Sequence, residues 1–137
     1  MKKGLLIALG VIVLLIVLRP FAREYIDLIN YNREIENLQI ESLKIENLQD
    51  GEYEGEHTVY AIEARVRVRI HSGEIVAIDL EHEHERGYNA EEITERVIHA
   101  QSLGVDMVTG ATQSSKVILK AIEKALCDLE EASCKGP

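Results

Sequence analysis

Residues 4–18 form an unbroken apolar run of 15 positions, mostly Leu, Ile and Val. At about 1.5 Å per helical residue the run covers roughly 22 Å, against a hydrocarbon core of about 30 Å. Arg19 can snorkel, and Pro20, Phe21 and Ala22 lengthen the apolar stretch, so residues 1–22 are expected to form one N-terminal transmembrane helix. A cleaved signal peptide would want small residues next, and charge and proline stand there instead. Residues 23–34 continue the helical pattern. Residues 35–49 then repeat a five-residue unit three times, starting at Ile35, Ile40 and Ile45. That period fits neither a helical stripe nor strict alternation, and three such units cannot bury a core. Residues 23–49 therefore read as a stalk.

From Gly51 the signal is β. A first strand is expected from Tyr53 to Ile62. Residues 64–70 alternate cleanly, with Val66, Val68 and Ile70 on one face and Arg65, Arg67 and Arg69 on the other. His71, Ser72, Gly73 and Glu74 form a hairpin turn, and residues 75–80 return. Residues 90–101 suit a helix with Ile93, Val97 and Ile98 on one face. A last helix carries the stripe Val117, Ile118, Ala121, Ile122, Ala125, Leu126 and Leu129, capped by Thr112 or Ser114. The expected class is α+β: a small antiparallel sheet packed with two helices in a domain at 50–131, followed by a tail at 132–137.

Charge narrows the partners. The 137 residues carry 15 basic and 24 acidic side chains, a net charge of −9. Four of the basic residues (Lys2, Lys3, Arg19 and Arg23) flank the apolar run, and no acid precedes Glu24. The remainder is strongly acidic, which repels nucleic acid. The flanking positive charges slightly favour the N-terminus inside, which puts the domain outside the cytoplasm on a single-pass cell-membrane protein. The arginine stripe is expected to pair with acids on neighbouring strands. Cys127 and Cys134 are read as one half-buried thiol and one tail thiol, since a disulfide needs the tail to fold back. His82 and His84 share a face of an extended chain. A metal there would need a third ligand such as His57 or His99, and no metal is expected. No catalytic arrangement, dinucleotide fingerprint or P-loop is present.

The densest chemistry lies at Asp106, Met107, Val108, Thr109, Gly110, Ala111 and Thr112, with Ser114 and Ser115 following. A hydroxyl- and glycine-rich turn feeding a helix N-terminus suits a phosphate, because the first N–H groups of the helix lack intrahelical acceptors and its dipole favours an anion. Gly110 and Ala111 allow close approach to the backbone. This stretch resembles the flavin-attachment motif of the FMN-binding domain family: Asp, two free positions, Ser or Thr, Gly, Ala, Thr. The resemblance runs from Asp50 to Ala125 and includes Ala100, Gln101 and Ser102. It implies FMN as cofactor, joined by a phosphoester to Thr112 by a magnesium-dependent flavin transferase that uses FAD as donor and reads Asp106. It also implies a flavin-proximal loop at Gly87 and Tyr88, where the ring of Tyr88 could stack on the isoalloxazine. The expected function is an anchored, extracytoplasmic electron carrier between donor and acceptor proteins or a quinone. An FMN-dependent reductase of a small acceptor and a non-redox binding module remain open.

Overall fold

The computed structural model describes residues 2–40, 48–83 and 89–127, except the side chains of residues 2, 5, 6 and 83. Expectations that fall on His84, Gly87, Tyr88, Leu129, Cys134 and the tail lie outside these residues.

The chain divides into two compact units, residues 1–36 and 37–137. The first is a single helix, α1 (Lys2–Asn37), with Pro20 inside it. The expected anchor and the first part of the stalk are thus one continuous helix. Between Ile7 and Ile29 its large apolar side chains are exposed, Ile7 at 68% and Phe21 at 66% among them, whereas Ile35 near its end is buried. Among the described residues, no helix is long and apolar enough to cross a membrane. The continuous apolar run whose side chains are described covers residues 7–18, about 18 Å at 1.5 Å per residue.

The second unit is an α+β domain. Strands β1 (Gly51–Val59), β2 (Ile62–His71) and β3 (Glu74–Glu83) form an antiparallel meander in the order β1-β2-β3. Helix α3 (Thr112–Cys127) packs on β1 and β2, and α2 (Glu92–Ala100) packs on β3. The alternation in β2 works as the pattern demands: Ile62, Ala64, Val66, Val68 and Ile70 are buried, and the arginines between them are exposed. Against that face α3 lays Val117, Ile118, Ala121, Ile122, Ala125 and Leu126, all buried. On the opposite face the arginines find the expected acids. Arg67 meets Glu54 at 2.7 Å, Arg65 meets Glu56 at 3.1 Å, and Arg69 meets Asp79 at 3.3 Å.

Two details depart from the sequence reading, the end of β1 and a bulge in β3, while the second hairpin turn falls where expected. The first strand stops at Val59, because Tyr60 enters the left-handed region (φ 54°) and turns the chain with Ala61; Ile62 belongs to β2. Neither residue is a usual turn former, so the composition hid the hairpin. The second turn has Ser72 and Gly73 both at positive φ, the geometry of a type I′ hairpin. Finally, β3 carries an extra residue: Arg69 pairs with Ala77 and Ile70 with Ile75, which leaves Val76 bulged outward.

Next to that bulge, Gln101 partners the outer edge of β3. Its side-chain amide accepts from Ile75 N–H and donates to Ile75 C=O, both at 2.9 Å, as a neighbouring strand would. It also donates to Ile98 C=O at 2.7 Å while its own backbone takes the left-handed conformation that ends α2. One side chain thus closes a helix and ties it to the sheet edge.

Gly55 fixes the other helix. A Cβ there would run into the carbonyl oxygen of Ala121, with Ala125 N at 2.6 Å and Ala125 Cβ at 2.9 Å. Strand β1 and helix α3 touch backbone to backbone at this point.

Candidate functional site

The Thr-Gly-Ala-Thr segment is a tight turn that opens α3. Ala111 N–H donates to Val108 C=O at 3.0 Å, which closes a four-residue turn, and Gly110 sits at its third position with φ +82°. These are features of a type II turn, which needs glycine there. A Cβ on Gly110 would meet nothing within 4 Å. The glycine therefore serves the backbone conformation and leaves open space beside the turn.

Helix α3 starts at Thr112, five residues before the first residue of the apolar stripe. Its first helical hydrogen bond runs from Ser115 N–H to Ala111 C=O at 2.8 Å. Ala111 consequently occupies the cap position and has no side-chain acceptor, so neither Thr112 nor Ser114 caps the helix from there. Thr112 is the first helical residue, and its side chain is exposed. Its N–H and that of Ser114 have no acceptor within the helix. No acidic residue lies in the first turn. Lys116, one turn on, adds a positive charge on the same side.

The candidate residues divide by exposure. Asp106, Thr109, Gly110 and Thr112 are exposed, whereas Ala111, Ser114 and Ser115 are buried. Ser115 has an internal job: its Oγ accepts from Val108 N–H at 3.2 Å. Val108 is thereby held at its N–H by Ser115 and at its C=O by Ala111. Gly87 and Tyr88 lie outside the described residues, so their position beside this turn is not part of the geometry.

Arg96, which the sequence reading passed over, holds the approach to the turn. Its Nη1 donates to Asp106 C=O at 2.8 Å and to Met107 C=O at 3.3 Å. The other edge of its guanidinium grips Glu92, with Nη2 at 2.8 Å and Nε at 3.3 Å from Oε1. Beside it, Glu92, Glu95, His99, Val105 and Asp106 line an open cleft of about 720 Å³. The only sequence signal for this was the four-residue spacing of Glu92 and Arg96 on α2.

Other candidates take other roles. Among the described residues no group of three or more His, Cys, Asp or Glu side chains is arranged to hold a metal. His57 lies against α3, its Nδ1 3.1 Å from Lys124 Nζ. Burial first, then the charges of Lys124 and Lys120, push its pKa below the ordinary imidazole value of 6.5. Cys127 is not a free thiol; it is disulfide-bonded.

The turn fits the phosphate end of FMN. It offers an exposed hydroxyl at a helix N-terminus, an open flank where a Cβ would otherwise point, and no carboxylate in the first helical turn.

Comparison with known proteins agrees with this geometry. The model of the family described as "FMN-binding domain" matches residues 60–127, which takes in β2, β3, both domain helices and the turn. The match begins after β1, later than the Asp50 start expected from the sequence. Among solved structures, the chain is similar to the CPE2226 protein from Clostridium perfringens. The two are 26% identical with a TM-score of 0.50, over 63% of this chain and 92% of that one. No curated protein matches the chain. With its turn, its helices and the family match in register, this flavin-binding chain belongs to the FMN-binding domain family, and FMN is its cofactor.

Proposed function

We propose that the chain is a membrane-anchored, extracytoplasmic flavoprotein that carries FMN on Thr112 as a phosphoester and passes electrons. The observation that carries this reading is Thr112 itself: an exposed hydroxyl at the first position of α3, directly after an open type II turn. In the attachment, a bond forms between Thr112 Oγ1 and the phosphorus of the FMN half of FAD. The pyrophosphate bond breaks, and AMP leaves with the hydroxyl proton. A flavin transferase supplies that chemistry. The isoalloxazine of bound FMN supplies redox capacity, and the protein supplies tethering and orientation.

Each chain residue has a limited task. Thr112 accepts the ester, and the N-terminus of α3 stabilises the phosphate charge. Gly110 and Thr109 leave the flank open. Ser115 and Ala111 fix the turn from below. Asp106, exposed at the head of the motif, is a recognition point for the transferase. Support for the anchor comes from α1, apolar on every side and uncovered over residues 7–18, as a lipid-embedded helix would be. Support for an oxidising compartment comes from the disulfide at Cys127. The electron donor and acceptor are separate proteins or a quinone.

The test is the intact mass of residues 24–137, produced with and without a flavin transferase, beside Thr112→Ala. The expected result is a yellow protein heavier by one FMN less one water only when the transferase is present, with the variant colourless and unshifted. An extractable FMN without a mass shift would discard the ester. No flavin in any form would discard the electron-carrier reading.

A further inference from the structure

Backbone before the attachment turn is held by a side chain from another helix. Asp106 and Met107 lie in a stretch without ladder or helix hydrogen bonds, so their carbonyl groups need partners. Arg96 provides them from α2. A guanidinium carries five N–H donors in a rigid fork, and here one edge is spent on Glu92 while the remaining nitrogen spans two consecutive carbonyls. Glu92 fixes the plane of the fork, and the fork fixes the chain. One residue later begins the turn whose Val108 is held by Ser115 and Ala111. The segment is therefore clamped from α2 on one side and from α3 on the other.

We infer that Arg96, oriented by Glu92, is a positioning residue for flavin attachment: it holds the Asp106–Met107 backbone so that Asp106 and Thr112 are presented together to the incoming FAD. This rests on the attachment reading above. Arg96 does not touch the hydroxyl that reacts. It acts by fixing the distance between the recognition end of the motif and its acceptor end, six positions apart in a stretch that has no regular structure before Thr112. A group-transfer step is sensitive to such placement, since displacement of reacting groups by about 1 Å costs up to a hundredfold in rate. The cleft beside Arg96 is open, so its removal admits water to the two carbonyls and frees the segment without leaving them unsolvated.

The experiment follows FMN loading of residues 24–137 by mass, with transferase and FAD, for the native chain, Arg96→Ala, Arg96→Lys, Glu92→Gln and the core variant Val59→Ala. Val59 is buried at the end of β1 and serves as a control for lost stability. Amide hydrogen exchange over residues 106–111 is measured in the flavin-free proteins. Arg96→Ala is expected to load about tenfold more slowly and to exchange faster over that segment. Arg96→Lys, which keeps a cation able to reach the carbonyls, should recover most of the rate. Glu92→Gln should fall between them, and Val59→Ala should load like the native chain despite a lower melting temperature. Native-like loading by Arg96→Ala, or equal slowing by Val59→Ala, overturns the inference while leaving Thr112 as the acceptor. Failure of the native chain itself to load overturns both readings. Should Arg96→Ala not fold, the Arg96→Lys and Glu92→Gln pair carries the same comparison.

Discussion

Individual side chains in this domain are placed by what surrounds them more than by their own preferences, and His57 is the plainest case. It is half-buried on β1, with Lys124 beside it and Lys120 further along α3. Its Nε2 is buried without a hydrogen-bond partner. A proton on this ring would add charge where solvent is thin and two cations already stand, so its pKa lies below 6.5. A folded pKa below the unfolded one means that the unfolded chain binds the proton first. The stabilisation is whole above pH 6.5 and is lost as pH falls through that value toward the depressed one. Between about pH 7.5 and pH 5 the native protein should therefore lose more melting temperature than His57→Gln, which thermal melts at both pH values would read directly. Asp50 works in the same sense but in a separate, lower window. Backbone N–H groups of Ser72 and Gly73 lower its pKa, so its contribution fades only in stronger acid.

Elements were legible in the sequence where period and burial coincide. The alternation of residues 64–70 and the stripe from Val117 to Leu126 each name one buried face, and the structure packs those two faces together. Less legible was everything decided by backbone geometry. Tyr60 turns the chain without glycine, proline or asparagine, and the Val76 bulge leaves no mark in the pattern. The Thr-Gly-Ala-Thr turn stood out as chemistry, yet its clamp did not, because Arg96 lies ten residues from Asp106 and reads as one more surface charge. Gly55 was likewise silent: nothing in its neighbours says that a helix backbone will press on it. Gly55→Ala should test that contact. The atoms in the way belong to the backbone of α3 and cannot rotate aside. A loss of about 3 kcal/mol or more is expected, or a melting temperature lower by more than about 10 °C, as measured by urea and thermal unfolding. A near-native midpoint would mean that α3 rides further from β1 than described.

At the scale of the whole molecule, the two units differ in what their surfaces ask of the surroundings. The first presents exposed apolar side chains over residues 7–18. The second is acidic, with its apolar residues turned between sheet and helices and its outer face laced by arginine–carboxylate pairs. Removal of residues 1–23 should give a protein that runs as one sharp peak in size-exclusion chromatography without detergent, while the full chain should need detergent or vesicles to do so. Equal behaviour of the two would argue against the anchor. The contact at Gly55 also bears on how a cargo would be delivered. Thr112 stands nine residues before Ala121, about 14 Å along the axis of α3. The helix is thus a short lever with its fulcrum at a missing side chain, and any rocking there is magnified at the tip. On the attachment reading proposed above, a substitution that loosens the fulcrum would blur the aim of the flavin before it unfolded the domain, and the steadiness of its placement would be set on β1, a strand with no part in the attachment motif.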